Sequence, residues 1–228
     1  MSKVTAVIPV RGGSERLKNK NLRLIGGESL LCRKIRILKE CGNVERIIVN
    51  SDSDVMLDTA RSRGVEAVKR DPAFASSGAP MNEAIHHVLA NTPGEHIIWA
   101  QVTSPLLSSA RIDEFIGMYF NGLKKGYDSL ATYKNVREYL WDDNGPVNYE
   151  KGGHPRSQDL KIYKALTFTV AIIGKQLGMK RKYYIGDKPY FVEVTDEEAV
   201  DIDNEMDLYI ANALLARESL LDIHLSEA

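Results

Sequence analysis

The stretch AVIPVRGGSERLKNKN, residues 6–21, decides how the rest of the chain is read. An apolar run from Ala6 to Val10 stops at Arg11-Gly12-Gly13-Ser14, and Arg11, Arg16, Lys18 and Lys20 then crowd the segment that follows. A strand that ends in a glycine-containing loop presents backbone N–H groups that can cradle phosphate oxygens. Gly12 and Gly13 would allow close approach and unusual dihedrals. Arg11 would supply a bidentate fork, and Lys20, expected to be solvent-exposed, a mobile point charge. The spacing is neither GxxxxGK[ST] nor GxGxxG, so the Walker loop and the dinucleotide fingerprint are both absent. On composition alone, a basic surface turn explains the stretch equally well.

Further along, short β-branched runs bounded by turn residues predict strands at 4–10, 46–51, 96–102, 128–133, 168–174 and 190–194. Helical periodicity is read at Ser29–Cys41, Asp54–Gly64, Met81–Asn91, Arg111–Gly126 and along the C-terminal NEMDLYIANALLARESLL. Strand and helix alternate through the first half. That pattern predicts an α/β fold, a Rossmann-like, mostly parallel twisted sheet with helices on both faces. The segment 134–166 breaks the alternation, being polar and rich in Gly and Tyr. A loop of that length is unusual inside a compact domain, so a projecting hairpin or dimerisation arm is expected within a single domain spanning 1–228.

Composition narrows the function class. The 228 residues carry 30 Lys and Arg against 31 Asp and Glu, so no bulk field recruits nucleic acid. No apolar run approaches membrane-spanning length, and the chain begins as a strand without a charged leader. The two cysteines, Cys32 and Cys41, form no CxxC pair and are read as reduced thiols of a cytoplasmic protein.

Three further motifs stand after predicted strands or at the base of the arm. QVTSPL, 101–106, places Gln101, Thr103 and Ser104 where they could hydrogen-bond a neutral polar ligand, although a plain strand end turned by Pro105 reads as well. In VDIDNEMDL, 200–208, Asp201 and Asp203 are two apart in extended chain and project from one side. Two hard carboxylates there suit Mg²⁺, with phosphates and water completing the shell, while Asp203 or Asn204 could instead cap the last helix. In HPRSQDL, 154–160, Arg156 could bind a carboxylate, beside Gln158 and Asp159; a solvated loop is the even alternative. His86, His87 and His154 lack companions at metal-ligand spacing, with one of the His86-His87 pair expected in the core. Met56, Met118 and Met179 read as core fillers. No nucleophile motif is present.

With these motifs in their order, the sequence resembles the acylneuraminate cytidylyltransferases (CMP-sialic acid synthetases). AVIPVRGGSERLKNKN, RIIVNSDSD, VKRDPAFAS, AQVTSPL, RSQDL and VDIDNEMDL carry the resemblance, which covers nearly the whole chain. It implies a nucleotide-diphospho-sugar transferase type of fold, usually dimeric through an arm, and a reaction between CTP and a nonulosonic α-keto sugar acid that uses Mg²⁺ and releases pyrophosphate. It further implies that Arg11, the Gly12-Gly13-Ser14 backbone and Lys20 hold the triphosphate, with Asn21 against ribose or phosphates and Arg70 toward cytosine. Gln101, Thr103, Ser104, Arg156 and Gln158 would serve the sugar acid, and Asp201 and Asp203 the metal. Arg11, Lys20 and Asp203 are then the expected catalytic residues, with the acceptor's proton passing to metal-bound water or to Asp203.

The departures from that family are specific. RGGSER stands where RGGSKG is common, so Glu15 is expected to point outward, and Arg16 has no inherited role. The S-x-R-L pattern is similar to the octulosonate (KDO) cytidylyltransferases, but those carry a metal-binding Asp in a QGDEP-like motif where this chain has QVTSP. Leu107, Thr169-Val170 and Pro80-Met81 replace the usual Arg, Asn-Gly and serines, which leaves the acceptor and the base preference open. A relative using another nucleotide, or an inactive nucleotide-binding relative, are the competing readings.

Overall fold

The structure is a computed structural model that describes residues 3–14, 16–76 and 78–226, and side chains as far as 217. Glu15 therefore lies outside the described residues. In chain order the elements are β1 (Val4–Pro9), β2 (Leu24–Ile25), β3 (Glu28–Ser29), α1 (Leu30–Glu40), β4 (Val44–Ser51), α2 (Asp54–Ser62), β5 (Glu66–Lys69), α3 (Met81–Ala90), β6 (His96–Ala100), α4 (Ser109–Lys124), β7 (Ser129–Val136), β8 (Trp141–Asp142), β9 (Gly145–Pro146), β10 (Tyr163–Gly174), α5 (Lys175–Arg181), β11 (Pro189–Glu193) and α6 (Glu205–Ser226). Seven strands form one sheet in the order β11-β7-β10-β6-β1-β4-β5. β1 lies at its centre, parallel to β4 on one side and β6 on the other.

The sheet is mostly parallel, as expected, and its exception is β10, antiparallel to both β6 and β7. β1 shows why a run with no polar alternation is a strand here. Val4, Ala6 and Ile8 face one layer of the core and Val7 the other, and all are inaccessible to solvent. A strand covered on both faces needs no polar side. The first layer holds Ile35 and Leu38 of α1, Met56 and Ala60 of α2, Phe115 and Tyr119 of α4 and Leu208 of α6. The second holds Ile85, Val88 and Leu89 of α3, with Leu177 of α5 packed against it. Local signals set the helix starts: the Ser29 side chain accepts from the Cys32 N–H and that of Ser108 from the Arg111 N–H.

The arm segment begins and ends as strand, with turns and irregular chain making up most of what lies between. β7 and β10 extend together, from Ser129 opposite Ile173 to Val136 opposite Tyr163. The small pair β8–β9 and a 3₁₀ turn at Ser157–Asp159 lie between them. Both cysteines are buried free thiols. His86 and His87 are each half-buried, so neither occupies the core; His87 stacks on Phe74 at 4.4 Å. No helix among the described residues is long and apolar enough to cross a membrane.

Candidate functional site

The carboxyl ends of the parallel strands converge on a cleft of about 510 Å³. Its floor is built from the segments that leave β1, β5 and β6, by Thr167 and Phe168 of β10, and by Asp201. Met81, Ala84, Ile85 and Val88, one stripe of α3, form its roof. Of the residues expected at a ligand site, Arg11, Ser14, Lys20, Asn21, Arg70, Gln101, Thr103 and Asp201 line this cleft.

The β1 loop is held from several directions. The Gly12 N–H donates to the Asp52 carboxylate at 3.0 Å, and the Asn21 amide donates to the Arg11 carbonyl at 3.0 Å. Gly12 and Gly13 are absent from the residues of positive φ, so the expected unusual dihedrals are not what these glycines supply. Nor does crowding demand them: a Cβ on Gly12 would stand 3.4 Å from that of Ser53, an ordinary van der Waals contact, and one on Gly13 would meet open space. The Asp52 fastening comes from strand pairing, since β1 and β4 end side by side, with Pro9 paired to Asn50.

Lys20 departs from its expected exposure. Its side chain is only 16% accessible, because its ammonium turns onto Asp203 at 2.9 Å. Arg16, 70% accessible, reaches the same carboxylate at 2.7 Å. Partial burial alone would raise the Asp203 pKa, but the bonds and charges of Lys20 and Arg16 outweigh it and hold the group below the ordinary carboxylate value. Asp203 is therefore a weak proton acceptor in this state. Asp201 behaves oppositely. It stands at the cleft mouth, yet desolvation and the charge of Asp203 raise its pKa against a hydrogen bond from Thr103. Ile202 between them is fully buried, which is the extended, one-sided geometry expected for the two carboxylates. Asp203 does not cap α6 through its carboxylate, which is taken up by the two cations; the Asn204 side chain accepts from Met206 and Asp207 N–H groups instead.

Arg70 is buried and clamped to Asn50, donating to its side-chain oxygen at 2.7 Å and its carbonyl at 2.8 Å. Burial, reinforced by Arg11, lowers its pKa to about 10 despite the nearby Asp52. A guanidinium fixed this way offers its remaining donors in a set direction.

The loop after β6 is fastened at consecutive carbonyls. That of Thr103 accepts from the Ile202 N–H at 2.8 Å, that of Ser104 from Lys34 Nζ at 2.8 Å and that of Pro105 from Arg33 Nε at 2.8 Å. This clamp turns Ser104 inward. Its hydroxyl is fully buried and has no partner among the described residues, so it is not available to a ligand, contrary to expectation. Arg156 and Gln158 also do not join the cleft. They are exposed on the arm, where Arg156 pairs with Asp159 at 2.8 Å.

Sequence reasoning missed several participants. Arg16, Trp99, Thr167, Phe168 and the α3 stripe all line the cleft. The α3 residues were legible as positions 81, 84, 85 and 88 of one helix face, and Trp99 as two before Gln101 on the same strand face. Among the described residues no group of three or more His, Cys, Asp or Glu is gathered for a metal.

The cytidylyltransferase family model matches residues 5–154. The N-acylneuraminate cytidylyltransferase of Escherichia coli O18:K1:H7 is 26% identical over 98% of this chain and 55% of its own length. That of Streptococcus agalactiae serotype III is 24% identical over 90% of this chain and 51% of its own. The chain thus spans about half the length of these curated relatives. Among solved structures, a CMP:2-keto-3-deoxy-manno-octonic acid synthetase complexed with CTP superposes with a TM-score of 0.68 at 14% identity, covering 95% of this chain and 100% of that one. The 4-diphosphocytidyl-2C-methyl-D-erythritol synthase of Anaerococcus prevotii gives 0.66 at 15% identity, covering 94% and 96%. At such identities the likeness is one of fold.

Proposed function

This chain belongs to the cytidylyltransferase family, and from that premise we propose that it transfers the cytidylyl group of CTP to a nonulosonic α-keto sugar acid, releasing pyrophosphate. The observation that carries the reading is the arrangement of one cleft around the β1 loop. Arg11, Arg16 and Lys20 stand at its centre, Arg70 on the β5 side, and Gln101 and Thr103 on the β6 side. Cations flanked by two differently furnished compartments suit a reaction that brings a triphosphate together with a second, polar substrate.

In this reading the triphosphate binds Arg11 and Lys20, with Asn21 keeping the loop in place. Arg70 directs the nucleoside to the β4–β5 side. Gln101 and Thr103 orient the sugar acid so that its anomeric hydroxyl stands in line with the bond to the leaving pyrophosphate. The new oxygen–phosphorus bond forms at the α-phosphorus as the hydroxyl's proton passes to water in the open cleft and the bridging oxygen departs with its electron pair, and Lys20 and Arg16 offset the charge that develops on it. Binding requires that Asp203 release part of its hold on these two side chains, so the triphosphate replaces one anion by another at the same cations.

A magnesium ion fits the donor chemistry. Asp201 presents hard carboxylate oxygen to the cleft and Asp203 lies beside it, and two carboxylates leave the other positions to phosphate oxygens and water. When bound, it would neutralise triphosphate charge and polarise the phosphoryl oxygens. We also read the chain as a cytoplasmic homodimer. The exposed Tyr139, Trp141, Val147 and Ile162 make the arm an apolar surface for a second copy, and Arg156 and Gln158, outside their own cleft, would serve the acceptor from there.

The test is an array of the four ribonucleoside triphosphates against N-acetylneuraminate, related nonulosonates and a 3-deoxy-octulosonate, with Mg²⁺ present and pyrophosphate release measured. Turnover confined to CTP with a nonulosonate is expected. Turnover with GTP or UTP and not CTP, or with the octulosonate alone, would contradict it.

A further inference from the structure

β10 is broken at its cleft end. Its pairing with β7 runs from Tyr163 to Leu166, shifts register, and resumes at Ala171. Within the gap Phe168 has φ 54°, a left-handed conformation that a bulky L residue holds only where its surroundings impose it. Thr132 of β7 is the centre of that imposition. Its hydroxyl accepts from the hydroxyls of Thr167 at 3.0 Å and Thr169 at 2.9 Å, and donates to the Val170 carbonyl at 3.2 Å. Thr132 and Thr169 are both buried, so these bonds are made away from water.

The consequence is an aromatic ring in the cleft wall. Phe168 lines the cleft, its ring set edge-on to Tyr184 with centroids 5.9 Å apart. Tyr184 in turn stacks on Trp99 at 4.8 Å, so the ring stands on an ordered aromatic support. If Phe168 served packing alone, an unbroken strand would bury it without a left-handed backbone, and glycine would relax the break.

The strand order decides which substrate this ring meets. Reading β5-β4-β1-β6-β10 across the sheet, Arg70 and Phe168 fall on opposite sides of the β1 loop. With the nucleoside on the Arg70 side, the acceptor occupies the side of Gln101, Thr167 and Phe168. We propose that Phe168 is a specificity-determining residue whose ring packs against the C–H face of the acceptor's pyranose ring, and that the strained break in β10 exists to present it. The proposal rests on the functional reading above, because it needs a sugar acid as the second substrate.

The experiment compares wild type with Phe168→Tyr, Phe168→Leu and Phe168→Gly, using CTP, Mg²⁺ and the nonulosonate that wild type turns over. Steady-state constants are measured for both substrates, with thermal unfolding as a fold control. Phe168→Leu and Phe168→Gly should raise KM for the sugar acid roughly tenfold and leave KM for CTP unchanged, as expected for loss of one aromatic contact. Phe168→Tyr, which keeps the ring, should stay within about twofold of wild type. Glycine suits the backbone at 168, so this variant reports even if the leucine variant is poorly folded. A wild-type KM for the sugar acid in the Leu or Gly variant, or an equal rise in both KM values, would overturn the assignment. Absence of turnover by wild type on every acid would instead strike the functional reading, and Phe168's role would fall with it.

Discussion

Replacing Lys34 by Met should change how stability depends on pH, by an amount the structure specifies. Lys34 is 1% accessible, and its ammonium donates to the Ser104 carbonyl at 2.8 Å. Burial, aided by Arg33, lowers its pKa from 10.5 to about 8. Below pH 8 the folded and unfolded chains are both protonated here, and the fold carries the full cost of the buried charge. Between about 8 and 10.5 the unfolded chain binds the proton that the folded chain has released, so stability rises with pH. The total over that window is about 3 kcal/mol. Methionine removes the charge but strands the Ser104 carbonyl, losing a charged hydrogen bond of about 1.5–3 kcal/mol, so near pH 7 the two effects roughly cancel. Urea unfolding of both proteins from pH 7 to pH 10 is the assay. Wild type should gain about 2–3 kcal/mol over Lys34→Met across that range. Cys41, whose pKa burial raises to about 12, destabilises the fold at high pH in both proteins and cancels in the difference. A stability difference that stays flat across the range would refute the account of Lys34 as a charge buried to brace the loop.

Three other variants probe the cations and carboxylates at the cleft. Lys20→Met should lower kcat by about 10²- to 10³-fold, the scale seen when one transition-state charge partner is lost. It should cost less than about 1 kcal/mol in unfolding, because Asp203 keeps Arg16 and solvent; a kcat within threefold of wild type would remove Lys20 from the machinery. Asp201→Asn and Asp203→Asn should each shift the Mg²⁺ activation curve to higher concentration, and wild-type curves in both would dismiss the metal assignment.

How much of this was legible in the sequence varies with the range of the interactions involved. Strands such as VTAVIPV and HIIWAQV announced themselves because burial on both faces demands continuous apolar runs, and the loops after them became the cleft. β5 went unread because Glu66–Lys69 is a four-residue edge strand with a charge at each end. α5 is a single short helix of seven residues with no buried stripe long enough to show a period. The direction of β10 is a matter of topology, which alternation does not encode. LTFTV reads as unbroken strand, with no Gly or Pro to mark the break that hydroxyls of two strands impose at Phe168. The same holds for charge. Lys20 reads as an exposed cation until Asp203, 183 positions away, is folded against it. Ser104 reads as a ligand hydroxyl until Lys34, 70 positions earlier, draws its carbonyl inward.

The fate of each phosphate of CTP tests the proposed transfer most directly. CTP labelled with ³²P at either the α or the γ position would be incubated with N-acetylneuraminate and Mg²⁺, and the products separated. Transfer at the α-phosphorus predicts that the α label moves into the sugar-acid product and the γ label into pyrophosphate. A γ label found on the sugar acid, or an α label released only as free CMP, would contradict it.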